Sequence, residues 1–309
     1  MTFDAARALL ARHLAPTPLV RAPSLSDASR EVHLKIETGL PTGSFKVRGA
    51  LYALSVNAAR REIAEVIAAS TGNHGAAVAW AATLLGIRAT IFLPEHPNPV
   101  KAARIRDLGA RIVEQGGDLS AAIDAAYAYA AQSGAFFLHD ATDPDIPLGA
   151  GTIGVEIVEA LPQVETIYVP MGDTALVRGV AAAVKARKRS TAIVGVVAEN
   201  APAYAMAWRS NAAVETATAH TIADGLAVRR ALAPNVAAIR ALVDDVKTVS
   251  EAELRDAVEW LMTRERVVAE PAGAAATAAF LKGERADGVS VLLVTGGNLA
   301  PGVTETACN

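Results

Sequence analysis

The sequence predicts an α/β protein of two open, mostly parallel-sheet lobes, and three observations predict it. Apolar, β-branched runs alternate with alanine-rich stretches of helical period, which is the pattern of βαβ units. The runs are nearly continuous, as strands buried on both faces require. Aromatic residues make up only 5% of the chain, which favours close-packed helices over a β-sandwich.

Expected strands cover residues 32–36, 66–69, 88–93, 111–114 and 136–138, rich in Val, Ile, Phe and Leu. A second set covers 166–169, 192–197, 266–268 and 291–294. Helical patterns lie between them at 76–85, 100–108, 119–131 and 176–185, each with small and apolar residues at three- and four-residue spacing. Two loops interrupt the alternation. One is Gly39-Leu40-Pro41-Thr42-Gly43; the other, 139–152, carries Asp140, Asp143, Asp145, Pro144 and Pro147. The division expected from this is a large domain of residues 1–46 and 140–309 and a smaller one of residues 47–139.

At 309 residues and roughly 150 per domain, two domains are expected. With 52% hydrophobic and 20% charged residues a packed core is expected rather than disorder. The net charge of −3 argues against nucleic acid and against a polybasic membrane surface. A single cysteine, Cys308, leaves no disulfide framework and no cysteine metal site. No apolar stretch reaches the roughly 18 residues of a membrane span, and residues 1–10 lack the basic flank and apolar run of a signal. A cytoplasmic, soluble protein is expected.

Ligands of open α/β sheets bind at the carboxyl ends of strands. The turn before Lys46 offers Ser44 as a helix cap, with helix through about Leu54. Lys46 then lies in the first turn, where the positive helix end disfavours an ammonium and frees the amine for a Schiff base. A solvated lysine on an amphipathic helix would read the same. Ser70-Thr71-Gly72-Asn73-His74-Gly75 brings hydroxyls, an amide and an imidazole to one turn, suited to a carboxylate or to plain capping. Gly172-Asp173-Thr174-Ala175-Leu176 is a further turn that could take a phosphate, with Asp173 repulsive, Thr174 a hydroxyl donor and Arg178 one turn on. Thr295-Gly296-Gly297-Asn298 and Glu270-Pro271-Ala272-Gly273-Ala274 supply a hydroxyl and a carboxylate at other strand ends. No G-x-G-x-x-G follows the first strand, and there is no P-loop, no G-x-S-x-G and no H-E-x-x-H. The six histidines are scattered, so no histidine metal cluster is expected.

Lys35-Ile36-Glu37, then Pro41-Thr42-Gly43-Ser44-Phe45-Lys46-Val47-Arg48-Gly49-Ala50, resembles the pyridoxal-phosphate lysine motif of the serine/threonine dehydratase family, which includes threonine dehydratase and serine racemase. The stretch 70–75 resembles its substrate-carboxylate loop. Residues 221–228, 270–274 and 295–298 match later blocks in order, and Thr17-Pro18-Leu19 matches the N-terminal segment. The resemblance implies the tryptophan-synthase-β-like fold (fold type II), with pyridoxal 5'-phosphate in the cleft between two lobes and one lobe closing on substrate. It implies that Lys46 holds the cofactor and moves the α-proton, that Phe45 packs near it, and that Asn73 bonds its phenolic oxygen. Ser70, Thr71, Gly72 and His74 would surround the substrate carboxylate. Gly172, Asp173, Thr174, Ala175 and Leu176 would take the phosphate, Thr295 would face the pyridine nitrogen, and Glu270 would lie nearby. A hydroxyl at that nitrogen leaves the ring a weaker electron sink, which favours β-elimination over transamination.

The chain departs from the family pattern in places. The phosphate loop, usually nearly all glycine, carries Asp173 and Thr174; Asp173 is expected to point away while backbone N–H groups serve the phosphate. Ala150 stands at a usual glutamine. Glu199 matches the first ligand of a family cation site, but Ala205 stands where an aspartate follows, so no metal is expected. Racemases carry a serine at Thr71, the acid/base opposite the lysine, and threonine keeps the hydroxyl. The stretches 70–75 and 171–176 look like the dehydratase branch of hydroxyectoine breakdown. The implied activity is elimination of water and ammonia from a β-hydroxy amino acid or relative by a homodimer, the alternatives being a racemase or a non-catalytic amino-acid-binding relative.

Overall fold

The computed structural model describes residues 2–283 and 287–299; Cys308 lies outside them. In chain order the elements are α1 (Phe3–Leu10), β1 (Leu19–Arg21), β2 (Arg30–Ile36), α2 (Lys46–Arg60), β3 (Glu65–Ala69), α3 (Asn73–Leu85), β4 (Arg88–Leu93), α4 (Pro99–Asp107), β5 (Arg111–Glu114), α5 (Leu119–Ser133) and β6 (Phe136–Phe137). There follow α6 (Ile146–Ala160), β7 (Thr166–Pro170), α7 (Ala175–Arg187), β8 (Ala192–Ala198), α8 (Ala203–Ser210), α9 (Ala233–Leu242), β9 (Asp245–Val249), α10 (Glu251–Arg264), α11 (Pro271–Lys282) and β10 (Gly288–Val294). Among the described residues no helix is long and apolar enough to cross a membrane.

The chain divides into two compact units. The first is Met1–His13 with Lys46–Gly149, the second Leu14–Phe45 with Ala150–Asn309. Residues 1–13 and 140–149 thus group with the smaller sheet, whereas the reading above put them in the large domain. The reason is local packing: α1 buries Ala6 and Leu10 and packs on α2, while Asp140 and Asp145 bond Lys46 and Arg60.

In the first unit four parallel strands run in the order β5-β4-β3-β6. Ile67 and Phe92 pack with Ala122 and Ala126 of α5. Against the same sheet lies α3, whose residues 74–79 are all buried; Gly75, Ala76, Ala77 and Ala79 allow close approach to β3 and β4. The register pairs Ala69 with Phe92, so the turn leading to α3 begins level with the carboxyl end of β4.

In the second unit six strands run in the order β1-β2-β10-β7-β8-β9, all parallel except β1 against β2. Side chains alternate across the sheet. Val291 and Leu293 join Ile153, Ile157, Val177 and Val180 in one core, while Leu292 and Val294 join Leu254, Leu261 and the alanines of α11 in the other. Both faces are buried, which is why the strands read as unbroken apolar runs.

The strand expected at 266–268 is not one. Arg266 is left-handed at φ 59° and the Val267 N–H donates to the Leu261 carbonyl, so the segment closes the end of α10. Its place at the sheet edge belongs to β9, where Asp245, Lys247 and Thr248 interrupt the apolar pattern.

Candidate functional site

In the first unit Lys46 opens α2, the position the sequence predicts. Its Nζ donates to Asp140 Oδ2 at 2.8 Å, and both side chains are 17% exposed. The expected neutral amine therefore meets an opposing charge. The helix end disfavours an ammonium by about 0.3–1 kcal/mol. A carboxylate within 4 Å favours it by about 4 kcal/mol at an effective dielectric of 20. The attraction of the pair exceeds the effect of the helix end, so Asp140 opposes loss of the Lys46 proton. Burial pushes the Asp140 carboxyl up, but the charge and hydrogen bond of Lys46 outweigh it and hold the carboxyl well below the usual carboxylate range.

His74, in the first turn of α3, is buried, and its Nε2 contacts the Leu138 carbonyl at 2.9 Å. Burial, reinforced by the Lys46 charge, pushes its pKa below the ordinary histidine value, although Asp140 pulls the other way. A neutral ring facing a carbonyl must carry its proton on Nε2, so Nε2–H donates and Nδ1 is an acceptor. His139 Nδ1 accepts from the Ala141 N–H and lies 3.9 Å from Asp140 Oδ1. Lys46, Asp140 and His74 form one electrostatically linked group.

The turn 70–75 lies beside it. Ser70, Thr71 and Gly72 are half-buried, Asn73 begins α3, and the cap Gly72 offers no side chain to the first-turn N–H groups. The Ser70 Oγ accepts from the Gly72 N–H. Gly75 is required: a Cβ there would fall 2.7 Å from the Ser70 carbonyl oxygen.

The second unit gathers the other expected residues. Phe45 donates its N–H to the Thr295 carbonyl and packs on the core holding Met171 and Leu176. Ser44, expected to cap α2, does not: it bridges Gly296, and its buried Oγ has no hydrogen-bond partner among the described residues. Glu270 takes its N–H to the Gly296 carbonyl, and its Oε1 lies 2.2 Å from where a Gly296 Cβ would stand. Thr295 is 5% exposed.

Residues 172–176 join β7 to α7. A Cβ on Gly172 would fall 2.2 Å from the Gly225 carbonyl oxygen, so the 221–228 segment closes on this turn. Thr174 caps α7 in the left-handed region at φ 71°, where it makes no capping bond, and its buried Oγ1 has no partner among the described residues. Burial pushes the Arg178 guanidinium pKa down, while the charges of Tyr204 and Asp173 raise it.

Each unit by itself carries residues that suit one part of pyridoxal phosphate. A helix-opening amine suits its aldehyde. Thr174 holds a buried hydroxyl without a hydrogen-bond partner among the described residues, in a turn whose Gly172 has no room for a Cβ and which opens a helix; this suits a phosphate. Asp173 opposes a phosphate, and the Arg178 charge offsets it.

The chain matches a family model described as "Pyridoxal-phosphate dependent enzyme" over residues 10–296. It is 36% identical over 295 residues to an L-threonine ammonia-lyase of Thermotoga maritima, covering 95% of this chain and 74% of that protein. The crystal structure of a T.th. threonine deaminase superimposes with a TM-score of 0.90 at 32% identity, covering 96% of this chain and 97% of that one. A maize serine racemase superimposes with a TM-score of 0.92 at 28% identity, covering 99% and 95%.

Proposed function

The chain belongs to the family of pyridoxal-phosphate dependent enzymes, and from that premise we propose that it eliminates water from a β-hydroxy amino acid, releasing a keto acid and ammonia. The linked group of Lys46, Asp140 and His74 beside the turn 70–75 carries this reading. When bound, pyridoxal phosphate draws electrons away from the substrate's α-carbon. Lys46 holds the cofactor and takes the α-proton on Nζ, where Asp140 stabilises the resulting ammonium. Ser70, Thr71, Gly72 and the N–H groups opening α3 bind the substrate carboxylate, with His74 a neutral neighbour. Asn73 would bond the cofactor's phenolic oxygen. The turn from Gly172 through Asp173, Thr174 and Ala175 to Leu176 would hold the phosphate, with Thr174 as hydroxyl donor. Thr295 would face the ring nitrogen, and Phe45 and Glu270 would complete the surroundings. The substrate loses its α-proton and β-hydroxyl as water, and hydrolysis of the resulting enamine releases ammonia.

The test is release of keto acid and ammonia from L-threonine, L-serine and ectoine-pathway compounds. Inverted amino acid without keto acid would select the racemase reading, which the Thr71 hydroxyl favours. We also place the enzyme in the cytoplasm as a homodimer, which cell fractionation and light scattering would check.

A further inference from the structure

A carboxylate within hydrogen-bond distance of the Lys46 amine belongs to none of the motifs quoted above. Asp140 follows β6, 94 residues from Lys46, and reaches its Nζ at 2.8 Å. Both groups are mostly buried, so neither trades its partner cheaply for water. The other titratable groups facing the pair are His74 from α3 and His139 from the preceding loop position. Both carry acceptor nitrogens: His74 spends its proton on the Leu138 carbonyl, and His139 Nδ1 takes the Ala141 N–H.

We propose that Asp140 is a positioning residue that keeps Lys46 protonated until the cofactor arrives, making cofactor capture proton-gated. The inference rests on the functional reading above. An ammonium has no lone pair and does not attack an aldehyde. Nζ must first release one proton to solvent. The carbon–nitrogen bond then forms and the aldehyde oxygen leaves as water, so atoms and charge balance. Asp140 raises the hurdle at the first of these events and holds the freed amine at one place for the second.

The experiment follows pyridoxal phosphate uptake by the cofactor-free chain through the absorbance of the bound cofactor, from pH 6 to 9, in wild type, Asp140→Asn and Asp140→Glu. Asp140→Asn is expected to load about tenfold or more faster at each pH up to 8, because each tenfold fall in the amine's proton affinity raises its free-amine fraction about tenfold. Asp140→Glu restores the wild-type profile. Superimposable profiles for Asp140→Asn and wild type, with matching thermal melts, overturn the proposal. Where Asp140→Asn does not fold, wild type alone decides. Its uptake rate must climb through pH 9, and a plateau below pH 8 overturns the proposal. Wild type that takes up no cofactor at any pH overturns this inference together with the functional reading, whereas uptake without the predicted pH dependence overturns the inference alone.

Discussion

Gly172→Ala is the sharpest steric probe of the phosphate turn. The added Cβ would stand 2.2 Å from the Gly225 carbonyl oxygen, about 1 Å inside an ordinary contact. Neither side yields easily. Gly225 sits in a hydrogen-bonded turn, and a Cβ at that position would already lie 3.1 Å from Ala272. Relief must come from the turn itself, which shifts the N–H groups at the start of α7. Overpacking of this kind costs about 1–3 kcal/mol. If that cost falls on the cofactor-binding geometry, the dissociation constant of pyridoxal phosphate rises about 5- to 150-fold. Absorbance titration of the cofactor-free chain measures it, with Gly117→Ala, whose Cβ meets nothing within 4 Å, as control. Retention within twofold of wild type would refute the assignment of this turn to the phosphate.

Thr174→Gly separates two effects of one residue: relief of the left-handed backbone stabilises the cofactor-free chain by about 1 kcal/mol, while loss of the buried hydroxyl weakens cofactor retention, read by thermal melts and titration. In the second unit the buried Lys35 Nζ donates to Glu156 and the Thr17 carbonyl. Lys35→Met should cost about 3–5 kcal/mol in urea melts, and adding Glu156→Leu should recover most of it. Because the folded pKa of His74 lies below its unfolded value, the unfolded chain binds the extra proton. Stability is therefore full above the ordinary histidine pKa and falls as pH drops below it, by at most about 1.4 kcal/mol per unit. His74→Gln should flatten the dependence of melting temperature on pH between 7.5 and 5.

Much of this was legible because it is local. Strand runs such as Val66-Ile67-Ala68-Ala69 and the turns that follow them are encoded in consecutive residues, and the placement of Lys46 at the start of α2 followed from the same rule. What was not legible depends on partners far along the chain. Asp140 looked like one of three loop aspartates, since nothing in its neighbourhood reports a lysine 94 positions away. Ser44 has the chemistry of a cap, yet its bridge to Gly296 holds it elsewhere. β9 was missed because an edge strand has one sheet neighbour and tolerates Asp245 and Lys247, while 266–268 has strand composition but closes a helix. The charge that faces Lys46 has the same origin: the helix end was visible in the sequence, the distant carboxylate was not.

The account rests on covalent attachment of the cofactor through Lys46. Borohydride reduction of the cofactor-loaded protein, followed by proteolysis and mass mapping, tests this directly. The account predicts one reduced pyridoxyl adduct, on the peptide containing Lys46, and none in Lys46→Ala. An adduct on another lysine, or none in protein that has taken up the cofactor, would contradict it.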